Sequence, residues 1–152
     1  MKYFIGNWKM FGVPKSINIL HKINYYYSKD KNRGKYRVII TPPYTLIESY
    51  AKYFKKKKII IGSQNCYQKD QFSSNTAAIS PYMIKRVGAK YTLVGHSDNR
   101  SEGDTNEMLK NKVHFALKNN LKVVFCIGEN KEEKKNKKTF SVLKKQLSKV
   151  LE

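Results

Sequence analysis

The sequence predicts an α/β fold built on a mainly parallel sheet. Short apolar, strand-like runs recur along the chain, amphipathic helical patterns lie between them, and polar clusters follow the runs at their C-terminal ends. Strict βαβα alternation of this kind gives parallel strands joined by right-handed crossovers. The strand-like runs are Tyr3–Ile5, Tyr36–Thr41, Ile59–Gly62, Tyr91–Val94 and Val123–Ile127.

The first helical pattern opens at Pro14, an N1-type position where a missing N–H costs nothing. Ile19, Leu20, Ile23, Tyr26 and Tyr27 mark its apolar face. The second carries Leu46, Ile47, Tyr50, Ala51 and Phe54. Ser80-Pro81 signals an N-cap followed by N1 for a third. Leu109, Val113, Ala116 and Leu117 stripe a fourth, and Phe140, Leu143, Leu147, Val150 and Leu151 a fifth. Ser63–Ile79 is a long polar connection without periodicity, of the kind that is usually functional or mobile. The charge run within Asn130–Thr139 reads as the solvated start of the last helix. Five βα units fit either a small doubly wound sheet or five-eighths of a barrel. The absence of a glycine-rich turn after the first run argues against a dinucleotide fold.

A chain of 152 residues is sized for one domain with a sizeable core, taken here as residues 1–152. It has no apolar run of about 18 residues, and its start has no signal-peptide core of about 7–15 apolar residues. Two cysteines, Cys66 and Cys126, make no disulfide framework, so a reducing cytoplasm is the default. No Cys/His spacing supports zinc, and there is no G-x-S-x-G or Walker-type loop. The net charge of +20 suits a polyanion partner. Against that, 27 of the 31 basic residues are lysine, and arginine, the usual fork for phosphate and bases, is scarce. A nucleic-acid partner is therefore not the expectation.

Two clusters carry chemistry: Gly6-Asn7-Trp8-Lys9 after the first run and Gly95-His96-Ser97 after the fourth. Strand C-termini of a parallel sheet converge on the face where ligands bind, so an amide, an ammonium and an imidazole share one site. That set suits a small anionic substrate whose carbonyl is polarised. His21 and His114 fall inside helical patterns, whereas His96 precedes Ser97-Asp98, a plausible helix start that disfavours a further positive charge. A neutral imidazole there can donate to a carbonyl oxygen, and a Lys9 ammonium can neutralise a developing oxyanion.

These residues resemble the triosephosphate isomerase family. Asn7-Trp8-Lys9 is similar to its first-strand motif and Gly62-Ser63-Gln64-Asn65 to its third-strand end. Val94-Gly95-His96-Ser97 is similar to its electrophile motif and Cys126-Ile127-Gly128-Glu129 to its fifth-strand end. The four occur in family order at near-family spacing and cover about the first three-fifths of a family length of about 250 residues. The resemblance selects the barrel: an incomplete TIM (β/α)8 barrel of about five βα units. It implies interconversion of dihydroxyacetone phosphate and D-glyceraldehyde 3-phosphate in glycolysis and gluconeogenesis, in the cytoplasm, without cofactor or metal. It implies that His96 and Lys9 are catalytic and that Asn7 and Lys9 bind the phosphorylated triose. Neutral histidine as electrophile is the known case for this enzyme class rather than a deduction from these residues.

The chain also departs from the family. The proton-abstracting Glu belongs to the sixth strand, past residue 152, so the 152 residues alone are expected to be inactive. Asp98 stands where the family has Glu, one methylene shorter, and the expectation is that its carboxylate falls short of Lys9. Asn99 replaces an Arg, and Ser101-Glu102-Gly103-Asp104 reads as one residue short. Ser73-Ser74-Asn75-Thr76-Ala77-Ala78 replaces a Gly-Ala-Phe-Thr-Gly-Glu pattern in the loop that the family inserts into its dimer partner. Glu129 either pairs with a neighbouring lysine or caps the next segment. Two other readings stay open: a non-catalytic half-barrel used as an interaction surface, and a basic nucleic-acid-binding α/β module, which a continuous Lys/Arg stripe away from the barrel mouth would favour.

Overall fold

A computed structural model describes residues 1–151. The strands are β1 (Lys2–Asn7), β2 (Tyr36–Thr41), β3 (Ile60–Ser63), β4 (Tyr91–Val94) and β5 (Lys122–Phe125). They pair in sequential order, every pair parallel. When each strand adds on the same side through a right-handed crossover, all crossover helices fall on one face. The result is a curled half-barrel with helices outside, as the sequence predicts. Between and after the strands lie α1 (Ile17–Lys29), α2 (Tyr44–Phe54), α3 (Pro81–Arg86), α4 (Ser97–Ser101), α5 (Asn106–Lys118), α6 (Lys131–Lys135) and α7 (Thr139–Leu151). No helix among the described residues is long and apolar enough to cross a membrane.

One core joins the helical stripes to the sheet. Leu20 of α1, Ile47 and Tyr50 of α2, Ile84 of α3 and Leu109 and Ala116 of α5 are almost fully enclosed, in one cluster with Ile40, Ile61 and Val94. Central strands are buried on both faces, which is why β2 and β4 read as continuous apolar runs rather than alternating ones. β1 pairs only with β2, so Tyr3, Phe4 and Ile5 stay largely exposed. Gly88 (φ +102) lets α3 close onto α2: a Cβ there would meet the Ala51 Cβ at 2.8 Å.

The structure corrects three sequence readings. A 3₁₀ turn, Pro14–Ser16, precedes α1, and Ile19 and Tyr26 are exposed, so the buried face runs through Leu20, Ile23 and Tyr27 at helical spacing. The charge run is not the start of the last helix. Asn130 and Glu133 form a reciprocal capping box that makes α6 a helix of its own, and Lys137, at φ +57, turns the chain before α7. In α7, Phe140 is 89% exposed and Val150 is the buried residue, so the stripe read there is mostly solvated. Strand ends shift by one or two residues. The Ser80 N-cap is as expected, its hydroxyl accepting from Met83 N–H.

Candidate active site

Every strand delivers its C-terminal end to the same rim, and there the polar residues meet. Lys9, just past β1, adopts φ +54, a left-handed conformation that a long side chain rarely takes. Three bonds hold it. Its N–H donates to Asn7 Oδ1 at 3.0 Å, and its carbonyl accepts from Gln64 Nε2 at 2.8 Å. Its ammonium donates to Asp98 Oδ2 at 2.7 Å. Gln64 also donates to Thr41 O at 2.9 Å, so one amide ties the ends of β1, β2 and β3. The shorter Asp98 reaches Lys9 after all, correcting the expectation that it falls short. The Lys9 ammonium is the main cause holding the Asp98 carboxyl below its usual range.

His96 occupies the N-cap position of α4. Its Nδ1 lies 3.2 Å from the Asp98 N–H and 3.5 Å from Asp98 Oδ2. One nitrogen cannot accept from the first and donate to the second. The backbone contact is the closer and lies at hydrogen-bond distance, so Nδ1 accepts from the Asp98 N–H. The ring is then neutral, and Nε2 carries the proton it can donate.

Arg100 braces the site from behind. Its Nε donates to Gly95 O at 2.7 Å and its guanidinium to Cys126 O at 3.1 Å, tying the ends of β4 and β5. Gly95, at φ +78, is required here, since a Cβ would lie 2.8 Å from the Arg100 guanidinium and 3.0 Å from Cys126 O. Beneath the rim, Lys112 is enclosed, bonded to both Asp104 oxygens at 2.7 Å and to Asn65 Oδ1 at 3.1 Å. Burial pushes the neighbouring Cys66 thiol up to about 12 and raises Tyr44 as well, so neither offers an anion at neutral pH.

Asn7, Lys9 and His96, the residues singled out from sequence, line one cavity of about 260 Å³ with Tyr44, Gln64 and Asp98. Its remaining carboxylate is Glu102. Sequence reasoning quoted Gln64 within a motif without assigning it a task, and it passed over the Lys112–Asp104–Asn65 group. Lys112 did carry a signal, a cation in line with Leu109, Val113 and Ala116 on the buried side of α5. Glu129 accepts from Thr139 Oγ1 at 3.3 Å, at the first residue of α7, so it meets that helix, beyond α6, rather than a lysine.

Comparisons with known proteins converge. The model of the family described as triosephosphate isomerase matches residues 2–152. A triosephosphate isomerase of Alkaliphilus oremlandii is 34% identical over 145 residues, covering 93% of this chain and 56% of the relative. One from Wolbachia pipientis wMel is 35% identical over 143 residues, covering 93% and 55%. The crystal structure of triosephosphate isomerase from Bartonella henselae superposes with a TM-score of 0.91 at 31% identity, over 98% of this chain and 61% of that one. The chain therefore spans little more than half the length of these curated relatives.

Proposed function

The chain belongs to the triosephosphate isomerase family, and on that premise we propose that it forms the carbonyl-polarising, substrate-neutralising part of a triose-phosphate isomerase. The reaction would interconvert dihydroxyacetone phosphate and D-glyceraldehyde 3-phosphate in cytoplasmic glycolysis and gluconeogenesis. The observation that carries this reading is the convergence of Asn7, Lys9 and His96 on one cavity, with the His96 Nε2 proton free to donate. His96 would hydrogen-bond the substrate carbonyl and the enediolate formed from it. Lys9, held by Asn7 and Asp98, would neutralise the phosphate and the developing oxyanion. The base that removes the carbon-bound proton belongs, by family position, to a sixth strand.

A coupled assay on the purified 152-residue protein tests it, beside a titration with 2-phosphoglycolate followed by NMR. No turnover is expected, because general-base catalysis worth about 10²–10⁴-fold is missing together with other positioning groups. Phosphoglycolate is expected to shift the His96 and Lys9 resonances. Turnover that His96→Ala abolishes would show that the chain holds its own base, and Glu102→Gln would then ask whether it is the pocket's other carboxylate. No turnover and no ligand-dependent shift would sink the site assignment.

A further inference from the structure

At the opposite end of the sheet, where strands begin and helices finish, a groove of about 510 Å³ runs between the C-terminal ends of α2 and α3. Its walls carry Lys52, Lys55, Lys57, Arg86 and Lys90 against one carboxylate, Glu48, which Lys52 already pairs at 2.6 Å. The basic surface continues beyond the groove. Lys56 and Lys58 extend the same exposed run, and Lys58 N–H bonds to Asn24 Oδ1 of α1 at 3.2 Å. On the other side, Lys122 N–H donates to Lys90 O at 2.9 Å, so the starts of β4 and β5 place two lysines side by side. Lys85 donates to Asn120 O, and burial first and Lys90 second lower its pKa, as expected in a crowd of like charges. Among the described residues, none of Lys55–Lys58, Arg86, Lys90 and Lys122 has a carboxylate within ion-pairing reach. Helix C-termini attract cations in their last turn, which explains Lys52 and Arg86. They do not explain the lysine run after α2 or the lysines at strand starts.

Exposed aromatic rings sit among these charges. Tyr53 of α2 stacks on His21 with centroids 4.6 Å apart and carries the Lys57 ammonium 4.5 Å above its ring. On α1, Tyr25 is covered the same way by Lys29 at 4.4 Å. Both rings are about half exposed. Neither ring lines the groove itself; a cationic groove with half-exposed rings on the adjoining helices suits single-stranded nucleic acid, its phosphates tracking the charge and a base displacing Lys57 or Lys29 from a ring face.

We propose that the strand-N-terminal end of this half-barrel, from Lys55–Lys58 across Arg86 and Lys90 to Lys122, binds single-stranded nucleic acid without sequence preference. An anionic membrane is the less favoured partner, because the charge lines a concave groove, with Ala51, Phe54 and Gly88 among its walls, rather than one amphipathic helix face. The reading from composition, that nucleic acid is not a partner, had no access to where the lysines gather.

The test is fluorescence anisotropy of a labelled oligodeoxythymidylate, about 20 nucleotides long, titrated with the full chain across a salt series. Binding with a clear salt slope is expected. The triple variant Lys55→Glu, Lys57→Glu, Lys90→Glu should weaken it about tenfold or more at about 0.1 M salt and lower the slope by about 2, at about 0.7 per contact. A control triple of equal charge on α7, Lys144→Glu, Lys145→Glu, Lys149→Glu, should change it by less than about threefold, since its exposed lysines lie outside the groove. Tyr53→Ala should cost about fivefold or more for the single strand and little for a duplex of the same length. Equal loss in the two triples would overturn the proposal in favour of net charge alone. Phosphatidylserine vesicles binding with the same sensitivity to the groove triple, or duplex and single strand binding alike with Tyr53→Ala silent, would overturn it too.

Discussion

The two ends of the sheet use the same residue type in opposite ways. At the strand C-terminal mouth, Lys9 is held by an Asn7 bond, a Gln64 bond and an Asp98 ion pair. At the strand N-terminal end, Lys55–Lys58 and Lys90 are exposed and have no carboxylate partner among the described residues. Lysine as a point charge on a flexible stem gains directional meaning only from neighbours. At the mouth the neighbours fix one ammonium at one place, which suits a small ligand. At the other end, Lys57 over Tyr53 apart, the ammoniums are not tied to a carboxylate and together make a field, which suits an extended polyanion.

The sharpest way to break that contrast is to remove a lysine that is fixed and buried. Lys112→Ala leaves Asp104 enclosed without its cation and should destabilise the chain by about 3–5 kcal/mol. Urea unfolding measures it, and Lys112→Met with Asp104→Leu should recover most of the loss. If Lys112→Ala costs no more than a surface change, the enclosed Lys112–Asp104 pair does not hold the fold.

Lys9→Met comes next. It should lower 2-phosphoglycolate affinity by about 10–100-fold, the scale of a charge-assisted hydrogen bond, with unfolding changed by less than about 1 kcal/mol because the pair is about half exposed. Asn7→Ala, which loosens Lys9 without removing its charge, should have the smaller effect of about fivefold. Equal effects would mean that Asn7 contacts the ligand itself.

pH sharpens the comparison further. The Asp98 pKa is lowered, so its contribution is present above the unfolded value of about 3.9 and is lost as pH falls through the lowered folded value. The mouth should therefore keep its Lys9 pair from neutral pH down to about 4, read by the Asp98 carboxyl and Lys9 ammonium resonances. At the far end of β2 the sign reverses. The hydrogen bond to Asp30 raises the Tyr36 phenol to about 12, so its stabilisation holds below about 10 and is lost as pH climbs through 12. Tyr36→Phe should flatten the stability profile between those limits, and an unaltered profile would remove Tyr36 from the account.

The smallest effect belongs to the basic end. Lys56→Ala should change unfolding by no more than about 0.5 kcal/mol, as for an exposed side chain without partners.

Much of this fold was legible because a parallel sheet writes itself as apolar runs separated by helical stripes. β2 and β4 are read to the residue. α7 was misread because Phe140 and Leu147 have helical spacing but face solvent, and spacing alone does not say what packs against a face. At the site, Asn7, Lys9 and His96 could be placed from their positions after strands. What escaped depended on distance. Whether the shorter Asp98 meets Lys9 is a matter of distance that residue types do not give, and the two groups meet at 2.7 Å. The gathering of lysines at one end escaped too, because Lys57, Lys90 and Lys122 are neighbours only through the sheet.

The sequential strand order also bears on how the molecule comes into being. Each new strand pairs with the one made just before it, so growth occurs at a single moving edge. A unit of roughly thirty residues leaves a ribosome in about 2–6 s, while loop closure and helix formation take microseconds or less. Every strand thus finds its template already standing, and vectorial synthesis rehearses the native order one step at a time. A denatured chain released all at once has no such schedule, and for it any strand is a candidate partner for any other.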